Sequence, residues 1–318
     1  MDDRCINGLD SLPPSARGCV LTIGNFDGVH VGHRRIVATA RRLADADGVA
    51  VVAMTFEPPP DLVLRPDDAP QRLTPPAVKG RLLREAGSDW VVTVKATPAL
   101  LSLSPEEFVD RIILRCFAPR HVVEGGNFHF GRRRAGDVAM LARAGERAGF
   151  GVHVADPVRL ALADGEQVVS STLTRGLVAA GRVEDAARCL AREFTLYGRV
   201  VPGAGLGRTL DHPTANLSPG EQICPGDGVY AGRAHVAGES FAAAISVGSK
   251  PTFANGAPAG RVVEAYLLDT EGDYYDRPME LSFVRRLRDQ QRYDGPEALR
   301  EQMVRDVAAV RRIIGQAG

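Results

Sequence analysis

The sequence predicts an α/β protein in two parts: a parallel sheet covered by helices, then a small antiparallel β-barrel or sandwich closed by a C-terminal helix. Three observations predict it. Apolar strand-like runs alternate with helical spacings through the first half of the 318 residues. The pattern then changes to short strands divided by Gly and Pro, and Leu299, Met303, Val307, Val310 and Ile314 mark one face of a final helix from Pro296 onward. A chain of this length is long enough for two cores.

Taken in order, Cys19 to Gly24 is the first strand and Arg34 to Ala46, with Ile36, Ala40 and Leu43 on one side, the first helix. Val49 to Phe56 is a second strand, stopped by Pro58, Pro59 and Pro60. Val78 to Ala86 is helical, Trp90 to Val94 a strand, and Pro105 to Cys116 a helix behind Ser104, with Glu107 placed for a capping box. His121 to Glu124 leads into a glycine-rich loop and Gly136 to Ala148 is helical. After a helical piece at Val183 to Arg192 come the short strands Tyr197 to Val201, Val229 to Val236, Phe241 to Val247, Val262 to Leu268 and Met279 to Phe283. The division falls at 1–188 and 189–318.

Composition excludes several classes. Lys plus Arg and Asp plus Glu are both 39, so no global field draws the chain to nucleic acid or an acidic membrane. The start, MDDRCINGLD, lacks the pattern of a secretion signal, and apolar runs such as Val49 to Met54 are too short to span a bilayer, so a cytoplasmic protein is expected. The five cysteines form no C-x-x-C pair, against a disulfide framework or a zinc site. The oligomeric state stays open.

Two constellations carry chemistry. In TIGNFDGVHVGH a strand, two glycines and a helix follow in order, so Gly24, Asn25, Asp27 and Gly28 form a loop whose amides collect phosphate at a helix N-terminus. His30 and His33, three apart, share the first helical turn. Paired donors there suit nucleotidyl transfer, an in-line displacement at an α-phosphorus that needs positioning and charge neutralisation. A turn with capping histidines is the plainer alternative. VSSTLTRG adds Ser171, Thr172 and Arg175 as a second phosphate grip, or as an N-cap with a solvated arginine. Asn127 follows Gly125 and Gly126 at a strand end, where open α/β sheets take ligands, with Arg132 to Arg134 beside it and Phe128 and Phe130 read as core.

In the second half, GAGLGRTLDHPTANL joins a glycine-rich loop to Thr214 and Asn216, hard oxygen donors suited to magnesium. A Gly/Pro-rich hairpin reads the same way. Glu264 interrupts the apolar strand VVEAYLLD, either as a general base or as an outward residue of an alternating strand.

GNFDGVHVGH with SSTLTR, then TFEPPP, RLTPP..K, LSPEEFV, GGNFHFGRRRAGD and GFGVHVADPV, resemble the adenylyltransferase module of the bacterial bifunctional riboflavin kinase/FAD synthetases, a branch of the nucleotidyltransferase superfamily. PTANL, GVYAG, VGSKPTF, VEAYLLD, LRDQQRY and EQMVRD resemble, in order, that family's riboflavin kinase module. The resemblance covers nearly the whole chain. It implies a Rossmann-like module that makes FAD and pyrophosphate from ATP and FMN, and a six-stranded barrel that phosphorylates riboflavin with ATP and Mg2+. It further implies His30 and His33 on the ATP phosphates, Asn25 and Asp27 shaping the loop, Asn127 placing magnesium or substrate, and Ser171, Thr172 and Arg175 on the far side. For the barrel it implies Thr214 and Asn216 as metal ligands, Glu264 as base for the riboflavin 5'-hydroxyl, and a phosphate flap from Gly203 through Gly207 to Arg208.

The chain departs from the family pattern at several positions. Pro59 stands where a histidine is usual, Asp211 and His212 where Gly-Phe is, Ser246 for asparagine, Asp276 for glycine and Gln290 for glutamate. An aspartate for a phosphate-side glycine adds charge where anions approach and works against turnover, but Thr214, Asn216 and Glu264 all remain, so kinase activity is still expected. The alternatives are a single-activity FAD synthetase with a weakened or inactive barrel, a non-catalytic flavin- or nucleotide-binding regulator, and adenylyl transfer to some other phosphorylated acceptor, which leaves the barrel unexplained.

Overall fold

The computed structural model describes residues 4–202, 214–249, 261–270, 272 and 274–316. Contacts divide the chain into two compact units: residues up to Ala161 with Glu166–Ser170, and Leu162–Gly165 with the chain from Ser171 on.

The first unit is a doubly wound sheet. Its strands are Cys5–Asn7 (β1), Val20–Ile23 (β2), Val51–Phe56 (β3), Trp90–Val94 (β4), His121–Gly125 (β5) and, after a minor pair at His129–Phe130 (β6) and Gly136–Asp137 (β7), Gly151–Ala155 (β8). The spatial order is β1-β4-β3-β2-β5-β8, all parallel. Strands buried on both faces must be apolar throughout, and residue alternation sorts them. Leu21, Ile23, Val52, Met54 and Val92 point to one layer of core, and Val20, Val51, Ala53 and Val91 to the other.

The helices are Val31–Asp47 (α1), Pro60–Leu64 (α2), Pro76–Glu85 (α3), Pro98–Leu101 (α4), Pro105–Phe108 (α5) and Val138–Ala148 (α6). Two expectations change here. The helix predicted over Pro105 to Cys116 keeps its Ser104–Glu107 capping box but widens into π-type turns over Val109–Phe117, where Ala118 N–H bonds Ile113 O at 3.0 Å. The helix expected from Gly136 begins at Val138, because Gly136 and Asp137 pair with β6 and the Asp137 side chain caps the helix.

Chain order reverses between β2 and β5. The loops that leave their carboxyl ends therefore part from each other there, which opens a crevice for a ligand.

A hairpin of Arg159–Leu162 (β9) and Gly165–Val168 (β10) precedes the helices Ser171–Ala179 (α7) and Val183–Leu190 (α8). A closed antiparallel barrel follows, of Phe194–Val201 (β11), Thr214–Ser218 (β12), Gly228–Val236 (β13), Glu239–Ser249 (β14), Arg261–Leu267 (β15) and Pro278–Arg288 (β16), in the order β11-β12-β15-β14-β13-β16. Phe194, Leu196, Tyr230, Ile245, Ala265, Leu281 and Phe283 fill it. Pro296–Gln316 (α9) lies on the barrel through Val307, Val310, Ile313 and Ile314, which pack on Ala231, Ala244 and Tyr266. Ile313, outside the expected stripe, is buried deeper than Ile314. Segment 214–218, not among the strands expected from sequence, is a strand because both neighbours supply ladder partners.

Candidate active sites

The end of β2 and the start of α1 build the first site. Between them the chain turns through left-handed backbone at Phe26 (φ 48), Gly28 (φ 85) and Val29 (φ 42), held in place because Phe26 and Val29 are buried. Three groups tie the turn down. Asp27 takes Leu73 N–H at 3.0 Å and Thr74 N–H at 3.1 Å. The buried Lys79 ammonium donates to the carbonyls of Asn25 (3.2 Å) and Phe56 (3.3 Å). On the other side Ile23 N–H donates to Glu124 Oε1 at 2.6 Å. Gly24 spends its own N–H on Met54 O at 3.0 Å.

His30 is the N-cap of α1. Its Nδ1 accepts from His33 N–H at 3.3 Å, so the ring is the neutral tautomer whose proton sits on Nε2. The His30 and His33 rings stack with centroids 3.6 Å apart and 19° between planes. A side chain on Gly32 would press on the His30 ring at 3.0 Å and meet Val169 O at 3.7 Å, so the bare backbone there lets Val169 lie against this turn. His33 Nδ1 is buried with no hydrogen-bond partner among the described residues. Burial first, then His30 and Lys79, hold the His33 pKa well below the usual imidazole value, so this ring too is neutral. The result is two neutral imidazoles, at the positive end of a 17-residue helix, beside the switch point of the sheet.

Asn127 is exposed just past β5, across the switch point from this turn; its Oδ1 lies 3.2 Å from where Gly125 would carry a Cβ. Phe130 is core and Phe128 stacks on it at 5.6 Å, while Arg132, Arg133 and Arg134 are exposed. Glu57, before Pro58 and Pro59, forms a two-point pair with Arg72 at 2.7 Å. In the second unit Ser171 and Thr172 open α7; Thr172 is exposed and Ser171 and Arg175 half-buried, with the buried Thr174 on the opposite side.

The second site is written in the barrel register. Asn216 of β12 stands opposite Glu264 of β15, and Thr214 opposite Tyr266. On the other side of β15, Glu264 stands opposite Ser246 of β14. Paired residues point to one face, and so do residues two apart on a strand. Thr214, Asn216, Glu264 and Ser246 therefore form one polar patch, bordering the Tyr266–Ala244 patch under α9. A hydroxyl, a carboxamide oxygen and a nearby carboxylate are hard oxygen donors, and this set fits a small hard cation that keeps waters and phosphate oxygens as its remaining ligands. Gly203, Gly207, Arg208, Asp211 and His212 lie outside the described residues. Asp276 holds φ 59, backbone that glycine adopts without cost, and meets Arg199 through its carbonyl and carboxylate.

Sequence reasoning missed Lys79, Glu124 and the contact of Ser246 with Gln290. Glu124 had a signal, a carboxylate ending the apolar run HVVE.

The family model described as FAD synthetase matches residues 12–173, and that described as riboflavin kinase matches 190–314. A bifunctional riboflavin kinase/FMN adenylyltransferase of Pseudomonas fluorescens is 40% identical, with 97% of each chain covered. The protein of the same name from Escherichia coli K12 is 33% identical, with 98% of each covered. A crystal structure described as a macrolide-efflux protein, from Streptococcus pneumoniae, superposes with a TM-score of 0.86 at 26% identity, over 97% of this chain and 99% of that one. No helix among the described residues is long and apolar enough to cross a membrane.

Proposed function

Because the chain belongs to the bifunctional riboflavin kinase/FMN adenylyltransferase family, we propose that its two chemistries divide between the histidine turn and the barrel row of Asn216 and Glu264. The enzyme phosphorylates riboflavin with ATP and transfers the adenylyl group of ATP to FMN, releasing pyrophosphate. We place the boundary between the activities at 188/189, and the enzyme in the cytoplasm, without nucleic-acid or membrane partners.

For adenylyl transfer, His30 Nε2–H and the neutral His33 ring steady the phosphate oxygens of ATP while the FMN phosphate attacks the α-phosphorus in line. Little covalent help is needed, so the rate rests on a turn that is already built. Asp27 and Lys79 on one side and Glu124 on the other supply that preorganisation by fixing the loop. Asn127, across the crevice, meets the flavin substrate or its metal. Gly24 and Gly28 allow the close turn.

For phosphoryl transfer, Glu264 takes the proton of the riboflavin 5'-hydroxyl as its oxygen attacks the γ-phosphorus, and ADP leaves. Thr214 and Asn216 would hold Mg2+, which when bound neutralises charge on the ATP phosphates. Gly203, Gly207 and Arg208 complete the phosphate side in this reading.

The observation that carries the division is the register: Asn216 and Glu264 face each other on a unit that does not contain the histidine turn. Chromatography of the products from riboflavin, ATP and Mg2+ tests it. His30→Asn, which keeps a capping oxygen, should accumulate FMN. Glu264→Ala should convert supplied FMN to FAD but leave riboflavin untouched. Equal loss of both steps in either variant would contradict the division.

A further inference from the structure

We propose that Ser246 and Gln290 act together as positioning residues for Glu264, through a row of side chains running Gln290, Ser246, Glu264, Asn216. The proposal rests on the reading of Glu264 as the kinase base. Gln290 Nε2 donates to Ser246 Oγ at 2.8 Å and to Val247 O at 3.2 Å. A carbonyl oxygen only accepts, so the second bond fixes which end of the Gln290 amide faces the barrel. Ser246 Oγ has thereby accepted a hydrogen bond and keeps its own proton to give.

Two residues flank Ser246 in the ladder, Val229 on β13 and Glu264 on β15. Of these side chains only Glu264 can accept. Paired Cβ atoms lie about 4.5–5.5 Å apart, within reach of a hydroxyl and a carboxylate. Asn216 bounds Glu264 from the opposite strand. The register thus sets the carboxylate between a hydroxyl on one neighbouring strand and a carboxamide on the other, the placement through which they would orient it.

This contact joins two of the departures from the family pattern into one coupled change. A carboxylate at 290 could donate to neither Ser246 nor the Val247 carbonyl. The Ser246 hydroxyl would then donate to that carboxylate and have no proton to give Glu264. An asparagine at 246 beside Gln290 would set a second amide where a small hydroxyl now fits. Each substitution alone breaks the row, and the two together replace one complementary pair by another.

The test is a double-mutant cycle on the full chain, with riboflavin phosphorylation and FMN adenylylation both measured. Ser246→Asn and Gln290→Glu should each lower the kcat of phosphorylation about tenfold with little change in the KM for riboflavin, and the double variant should return to within about threefold of the parent. Adenylylation should stay at the parent rate in all three. Losses that multiply in the double variant, or single variants at the parent rate, would overturn the coupling. Ser246→Thr, which keeps the hydroxyl, should retain turnover that Ser246→Ala loses; equal rates would overturn the positioning role even if the double variant does not fold. Glu264→Gln separates the two readings. If it keeps the parent's turnover, Glu264 is not the base and the positioning role falls with it. If it is inactive while the cycle is multiplicative, the base stands and only the coupling is lost.

Discussion

Glu124 shows how a single side chain can decide local geometry. The β2–β5 ladder pairs Val20 with His121 and Leu21 with Val122, and goes no further although both strands continue. Beyond that point the Ile23 amide is satisfied by the Glu124 carboxylate, which occupies the place of a ladder carbonyl. Burial raises the pKa of this group well above its ordinary 4.5, against the smaller lowering by the Ile23 amide. A raised folded pKa means stability that is complete below 4.5 and declines as pH rises through the folded value. Glu124→Gln keeps an oxygen for Ile23 and has nothing to ionise. Its melting temperature should exceed the parent's at pH ~7 and converge on it toward pH ~4.5; calorimetry across that range checks this, and a constant difference would contradict it. At this scale His30, His33 and Glu264 stood out in the sequence because their types are out of place in glycine-rich or apolar surroundings. Lys79 did not, since a lysine in a helix is ordinary until its partners are known, and Gln290 stood out only as a departure from the family pattern, not for the Ser246 it bonds.

Elements whose signals are local were legible. Ser104 and Glu107 form the expected capping box, Trp90–Val94 has the expected ends, and α1 starts where the histidine turn requires. Those that depend on a neighbour were not. Thr214–Ser218 has too few apolar residues to announce a strand and becomes one only between β11 and β15, while Cys5–Asn7 is a strand only because β4 is beside it. The phosphate loop belongs to this scale too, since its shape comes from Asp27 gripping a distant segment. Leu73 and Thr74 are buried, at 2% and 3% exposure, so deleting the carboxylate strands two buried amides. Asp27→Ala should destabilise the protein by about 2 kcal/mol and raise the KM for ATP in adenylylation, leaving riboflavin phosphorylation unchanged. Paired thermal melts and activity assays check both halves of that expectation.

At the scale of the molecule, each unit secures its own closure. In the barrel unit α9 is fastened by more than its apolar stripe: Arg288 Nη2 meets Asp306 Oδ2 at 2.7 Å, with side-chain exposures of 17% and 10%, and Gln302 adds a bond to Asp306 at 2.8 Å. Removing Asp306 takes away the carboxylate that the half-buried Arg288 guanidinium grips at two nitrogens, which costs about 1–3 kcal/mol. Asp306→Ala should therefore inactivate riboflavin phosphorylation at a lower temperature than in the parent, while FMN adenylylation survives to the parent's; loss of both at one temperature would contradict separate closure. The sequence by itself determined the class of each half, the order of its motifs and the residues able to hold phosphate or accept a proton, because periodicity, caps and residue chemistry act over a few positions. Tertiary structure alone decided which of those residues meet. Register set Asn216 and Ser246 on either side of Glu264, the cap geometry stacked His33 on His30, and burial left the His33 ring neutral, because pairing and desolvation depend on neighbours brought from far along the chain.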